Sequence, residues 1–101
     1  MASTPPASIS AQEDKLVRLM QLLGDKTRYQ MFKLVASNET LCVSEIAAKL
    51  GISASAVSQH FKLFEDNELV TRTREGQRIC YKLRPNSHAL SLLTFINNHK
   101  E

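Results

Sequence analysis

The chain has 101 residues, 13 Lys or Arg against 10 Asp or Glu, a formal net charge of +3 and 43% hydrophobic residues, which bounds it to one domain with a modest core. No stretch approaches the ~20 apolar residues of a membrane span, and the opening lacks the basic start and apolar run of a signal peptide. The expectation is a cytoplasmic protein with no membrane partner, whose small positive surplus leans toward a polyanion only where the charge is concentrated.

Residues 1–10 are small, uncharged and Pro-containing, which predicts a disordered tail and leaves 11–101 as the folded domain. From Gln12 to Leu23, Leu16, Leu19, Met20 and Leu23 make an apolar stripe that stops at Gly24. Asp25 is a candidate cap for a second helix through about Ala36, with Tyr29, Met31, Phe32 and Val35 apolar.

Residues 44–66 carry the sharpest signal. Ser44 is a good N-cap, and Ile46, Ala47 and Leu50 share one side of the helix that follows. Gly51 suits the left-handed residue that often ends a helix, and Ile52 plugs the corner. Ser53 caps a further helix running to about Asp66. Two helices joined by a short Gly-containing turn predict a helix-turn-helix, whose second helix commonly enters the major groove of DNA. On that second helix Ala54, Val57, Phe61 and Phe64 form the core stripe. Opposite lie Ser55, Gln59 and Lys62, with Ser58 on the shoulder: hydroxyls and an amide able to read base edges, and a cation able to neutralise a phosphate. A solvated polar face would look similar, but this one sits on the second helix and precedes a basic hairpin. His60 falls between the two stripes, as a packed flank residue or a phosphate contact.

Leu69–Arg74 alternates apolar residues or Thr with basic ones, Glu75-Gly76-Gln77 turns the chain, and Arg78–Arg84 returns with Ile79, Tyr81 and Leu83 on one face and Cys80 among the basic residues on the other. Arg72, Arg74, Arg78, Lys82 and Arg84 stand against the single acid Glu75. A two-stranded basic ribbon beside a recognition helix is a wing, and Arg72, Arg74, Gln77 and Arg78 are its candidate DNA contacts. The same charges also protect an exposed strand edge. After Pro85, Ser87 is a candidate cap for a last helix carrying Leu92, Leu93 and Ile96, widened by Leu90 and Phe95. Amphipathic helices at both chain ends exceed what so small a core covers, which predicts a two-fold dimer through Leu16, Leu19, Met20, Leu92, Leu93 and Ile96.

The fold class expected is therefore mainly α with a small β-hairpin: a winged helix-turn-helix of five helices plus a two-stranded wing, as a homodimer. The stretches LGDKTRYQMFKLV, TLCVSEIAAKLGISASAVSQHFKLFEDNELV and EGQRICYKL, in that order, resemble the ArsR/SmtB family over nearly everything from about Ala11 to Lys100. The resemblance implies a transcriptional repressor that binds a palindromic operator in double-stranded DNA as a homodimer until an inducer, commonly a metal ion, releases it.

Three sensor sites are candidates. In zinc-sensing relatives the last helix carries a pattern similar to Asp-x-His, ten residues, His-x-x-Glu. Here Asn86 replaces the Asp, His88 and His99 are present, and Glu101 falls one residue early. Eleven residues of helix put the two histidines on one face but about 16 Å apart, so a shared Zn2+ needs an antiparallel partner helix. Cys42 is the second candidate: the segment resembles a Leu-Cys-Val-Cys-Asp thiolate motif, but Ser44 replaces the second cysteine, and serine binds soft ions poorly. The third is a redox or reactive-sulfur pair of Cys42 with Cys80. A standing structural disulfide is not expected in a cytosolic chain, and a bridge requires Cα atoms within about 7 Å. The chain has no phosphate loop, clustered carboxylates or nucleophile–base spacing, so it does not read as an enzyme. The competing reading is a winged helix used only for protein contact.

Overall fold

In the computed structural model, residues 7–38, 40–85 and 87–99 are described, with the side chains of 87–89 outside that description. Helix α1 spans Ala11–Leu23, α2 Lys26–Ser37, α3 Val43–Leu50, α4 Ala54–Asp66 and α5 Ser87–Asn98; strands are β1 Leu41–Cys42, β2 Val70–Glu75 and β3 Arg78–Leu83. The expected five helices and hairpin are all present.

The helix starts follow local chemistry. Ser10 caps α1 reciprocally with Glu13: the Glu13 N–H donates to Ser10 Oγ and the Ser10 N–H to Glu13 Oε1, both at 3.0 Å. Ser10 thus belongs to the helix cap rather than to a tail, and residues 1–6 lie outside the described residues. Asp25 caps α2 by accepting the Arg28 N–H at 3.0 Å. Arg28 Nε donates to the Leu22 carbonyl at 2.7 Å, which fixes the α1–α2 corner.

The expected β2–β3 wing gains a third strand that the sequence does not announce. β1 pairs antiparallel with β3, so the sheet has three strands in the order β1-β3-β2, with Leu41 opposite Tyr81 and Cys42 opposite Cys80. That pairing also moves the start of α3. Cys42, in extended conformation at the end of β1, takes the N-cap position in place of Ser44, and Glu45 Oε1 accepts its N–H at 3.0 Å. Cap propensity favours the serine; the strand hands the chain to the helix two residues sooner. Gly51 ends α3 with φ 67°, as a left-handed terminus requires, and its N–H reaches the Ala47 carbonyl at 2.9 Å. Ser87 is the first helical residue of α5 rather than its cap.

The core is one cluster in which Met31, Phe32, Val35, Ile46, Val57, Phe61, Phe64, Leu69 and Tyr81 are essentially inaccessible. Ala54, expected in the core stripe of α4, is exposed, because it is the first residue of the helix and lies beyond the packed turns. Cys80, expected on the outer face of the hairpin, is fully buried: β3 is the central strand, and Cys42 of β1 lies beside it.

Candidate nucleic-acid interface

Helix α4 is oriented by its apolar side. Ser53 Oγ accepts the Ala56 N–H at 3.0 Å and sets the first turn. Val57, Phe61 and Phe64 then sink into the core. Phe61 stacks on Tyr81 of β3 with ring centroids 4.2 Å apart, and meets Phe64 edge-on at 5.2 Å. With that side fixed, helical geometry turns Ser55, Ser58, Gln59 and Lys62 outward, and all four are exposed.

These four side chains form one wall of a groove, and Arg72 and Ile79 of the wing form the other, with Tyr81 and Glu65 also lining it. Burial raises the Tyr81 hydroxyl above its ordinary pKa of 10.0, reinforced by the Glu65 charge and opposed by Arg72. Ile79, Tyr81 and Glu65 line the groove although the sequence pattern does not mark them for it. The alternation of the hairpin puts Tyr81 on the core face, and it serves both sides because it is buried where core meets groove. Lys62 Nζ is only loosely tied to Asp66, one helical turn on at 4.0 Å, and its side chain is 78% exposed. It is available to a phosphate.

Arg72, Arg74 and Gln77 are exposed along the wing and at its tip, where Gly76 turns the chain with φ 65°. Arg78 is exposed but engaged: its guanidinium lies 3.1 Å from Glu45 Oε1, so it braces the wing against the start of α3. His60 is half-buried on the flank toward the N-terminus of α2, where its charge adds to the lowering of the Asp25 pKa. The main cause of that lowering is the Arg28 N–H donated to the Asp25 carboxylate. His60 therefore does not join the groove.

The sensor candidates separate. His99 is exposed, stacks on Phe95 with centroids 4.3 Å apart, and its Nδ1 lies 2.8 Å from the Phe95 carbonyl oxygen. A carbonyl can only accept, so Nδ1 carries the hydrogen and Nε2 is left open. The His88 side chain and residues Asn86 and Glu101 lie outside the described residues. Cys42 and Cys80, the third candidate pair, are joined by a disulfide with Cα atoms 3.7 Å apart, although a standing structural bridge is not expected of a cytosolic chain. The bridge follows from β1 placing the two residues directly opposite each other, which meets the Cα distance condition that the sequence leaves open.

Of the residues expected at a dimer face, Leu16 and Met20 are exposed at 40% and 58%, whereas Leu19 turns into its own core at 4%. Leu92, Leu93 and Ile96 are half-buried against that core, and it is Leu90 and Phe95, at 56% and 62%, that project from α5.

Known proteins share both the sequence pattern and the fold. The model of the bacterial regulatory protein, arsR family, matches residues 25–72. The chain is 30% identical over 88 residues to a transcriptional repressor SmtB homolog of Synechocystis, covering 87% of this chain and 65% of that protein, slightly under two thirds of its length. It is 30% identical over 76 residues to the arsenical resistance operon repressor of Staphylococcus aureus, covering 75% of this chain and 69% of that one. Among solved structures, the homodimeric winged helix-turn-helix DNA-binding domain Mb0332 of Mycobacterium bovis is similar with a TM-score of 0.74 at 24% identity, over 100% of this chain and 94% of that chain. A helix-turn-helix with its polar face free, a basic wing beside it and these relatives lead to one assignment: the chain belongs to the ArsR/SmtB family of winged-helix DNA-binding transcriptional regulators.

Proposed function

We propose that the protein is a transcriptional repressor that binds a palindromic operator as a two-fold homodimer, with α4 in the major groove and the wing along the phosphate backbone. The observation that carries this reading is the exposed row Ser55, Ser58, Gln59 and Lys62 facing Arg72 across one groove. Its polar groups suit base edges and its cations suit phosphates. The apolar residues left exposed on α1 and α5 supply the dimer surface, and two-fold pairing presents two copies of α4 to successive half-sites. The place of action is the cytoplasm, where the DNA is. Binding-site selection from random duplexes tests the reading. A two-fold symmetric consensus with an affinity that falls steeply as salt rises is expected, and binding indifferent to salt and sequence overturns it in favour of a protein-interaction module.

A second reading concerns release. His99 holds its ring through Nδ1 and presents Nε2, as histidine metal ligands commonly do. Two antiparallel copies of α5 would bring it to His88 of the other protomer, giving a Zn2+ site shared across the dimer.

A further inference from the structure

Glu75 stands in an arrangement that the groove and the wing do not explain. It closes β2 opposite Arg78, its register partner, yet Arg78 reaches away to Glu45. Among the described residues Glu75 makes no ion pair. Its carboxylate instead turns inward, with Oε2 at 3.4 Å from Cys80 Sγ and 3.8 Å from Cys42 Sγ. A carboxylate is an acceptor only, and a disulfide has no hydrogen to give it. The contact is unsatisfied while the sulfurs are bonded to each other and becomes favourable once they carry protons or share a cation.

The surroundings favour the reduced pair. On the reading of the chain as a DNA-bound regulator, which this inference takes over, it works in a compartment where thiols are kept reduced. Two thiolates and one carboxylate then face one point, with all ligand atoms within 4.8 Å of one another. Cation bonds of about 2.3 Å to sulfur and 2.0–2.2 Å to oxygen bridge such spacings, and water completes four-coordination from the exposed side of Glu75. The cysteines are buried at 3% and 0% and held in register by the β1–β3 pairing.

We propose that reduced Cys42 and Cys80, together with Glu75, form a binding site for a borderline-to-soft divalent cation of the Zn2+ and Cd2+ class, and that the disulfide is the closed state of the same site. A dithiol reductant supplies two electrons and two protons to open the S–S bond and is itself oxidised to a disulfide. Cation binding then releases the two thiol protons to solvent. The site lies where β1 becomes the N-cap of α3, so occupancy acts on the first helix of the helix-turn-helix and on the wing together. It uses neither α5 histidine and is complete within one protomer.

The test is a titration of the reduced full chain, freed of reductant under anaerobic conditions, with Cd2+ and no DNA. One Cd2+ per chain with a thiolate-to-metal charge-transfer band in the ultraviolet is expected. Glu75→Gln, a surface change, should keep the band while weakening binding roughly tenfold or more. Cys80→Ala should remove it, and bound Cd2+ should protect both thiols of the wild type from alkylation. Protection in the unsubstituted chain keeps the test decisive if Cys80→Ala folds poorly. Absence of the band, thiols alkylated equally fast with and without Cd2+, or an affinity unmoved by Glu75→Gln would overturn the proposal. Because no DNA is present, failure here is distinct from failure of operator binding.

Discussion

Phe61 of α4 lies against Tyr81 of β3 with their rings 11° from parallel, and this contact connects α4 to the wing. Both rings are buried, so packing sets the angle at which the polar face of α4 meets Arg72. Replacing Tyr81 by Ala leaves a ring-sized void in the core. The expected loss is about 3–5 kcal/mol, read as a lower denaturant midpoint. Tyr81→Phe keeps the stack and should cost little. Equal losses for the two substitutions would contradict a packing role for the ring.

The raised pKa of Tyr81 has a signed consequence for stability. The folded protein holds the hydroxyl proton more tightly than the unfolded chain, whose tyrosines titrate near the ordinary 10.0. The contribution is complete below that pH and is lost as pH rises through the higher folded-state value. Chemical denaturation above pH 10 should therefore show a decline in stability that Tyr81→Phe reduces. An identical alkaline decline in both proteins would remove the linkage.

Base reading and phosphate binding should separate by residue. Gln59 is exposed at the middle of α4, and Gln59→Ala should relax sequence preference at one position of each half-site, by about 1–3 kcal/mol of discrimination. Arg74 is exposed on the wing and makes no ion pair among the described residues. Arg74→Ala should weaken all duplexes about equally and reduce the salt slope by about one. Arg78→Ala should also weaken all DNA about equally, but it additionally releases Glu45 and the brace between wing and α3. A change of base preference with Arg74→Ala, and none with Gln59→Ala, would reverse the roles.

The helix-turn-helix was legible because its signals are local. The polar row of α4 needs only 3.6-residue periodicity, and Gly51 and Ser53 punctuate the turn where they should. What depended on long-range pairing was hidden. β1 has two residues, too few for a period, yet it makes the sheet three-stranded, moves the cap of α3 from Ser44 to Cys42 and buries Cys80. The disulfide follows from that one strand. Leu19 misled for a different reason: both sides of the α1 stripe are apolar, and sequence does not say which side meets its own core and which is left over.

The Zn2+ site proposed at α5 makes a prediction independent of the cysteines. If Zn2+ bridges His99 of one protomer and His88 of the other, the double change His88→Ala with His99→Ala should abolish zinc-induced dissociation from the operator, leaving zinc-free DNA affinity intact. His99 is solvent-exposed and its own partner is the Phe95 carbonyl, so its removal is not expected to unfold the domain. A zinc response equal to that of the unsubstituted protein would exclude this site.

Self-association should depend on the apolar residues that the protomer leaves exposed. Phe95 at 62% and Met20 at 58% project from α5 and α1, whereas Leu19 is already satisfied. A charge in place of Phe95 stays solvated in a monomer, where loss of the ring removes only its exposed stack on His99, but must be desolvated in a dimer interface. Phe95→Glu should therefore shift sedimentation equilibrium toward the monomer while leaving the circular dichroism unchanged. Operator affinity should fall by about a hundredfold or more, because each recognition helix then binds its half-site alone. A variant that stays dimeric with full operator affinity would place the two-fold contact elsewhere on the molecule.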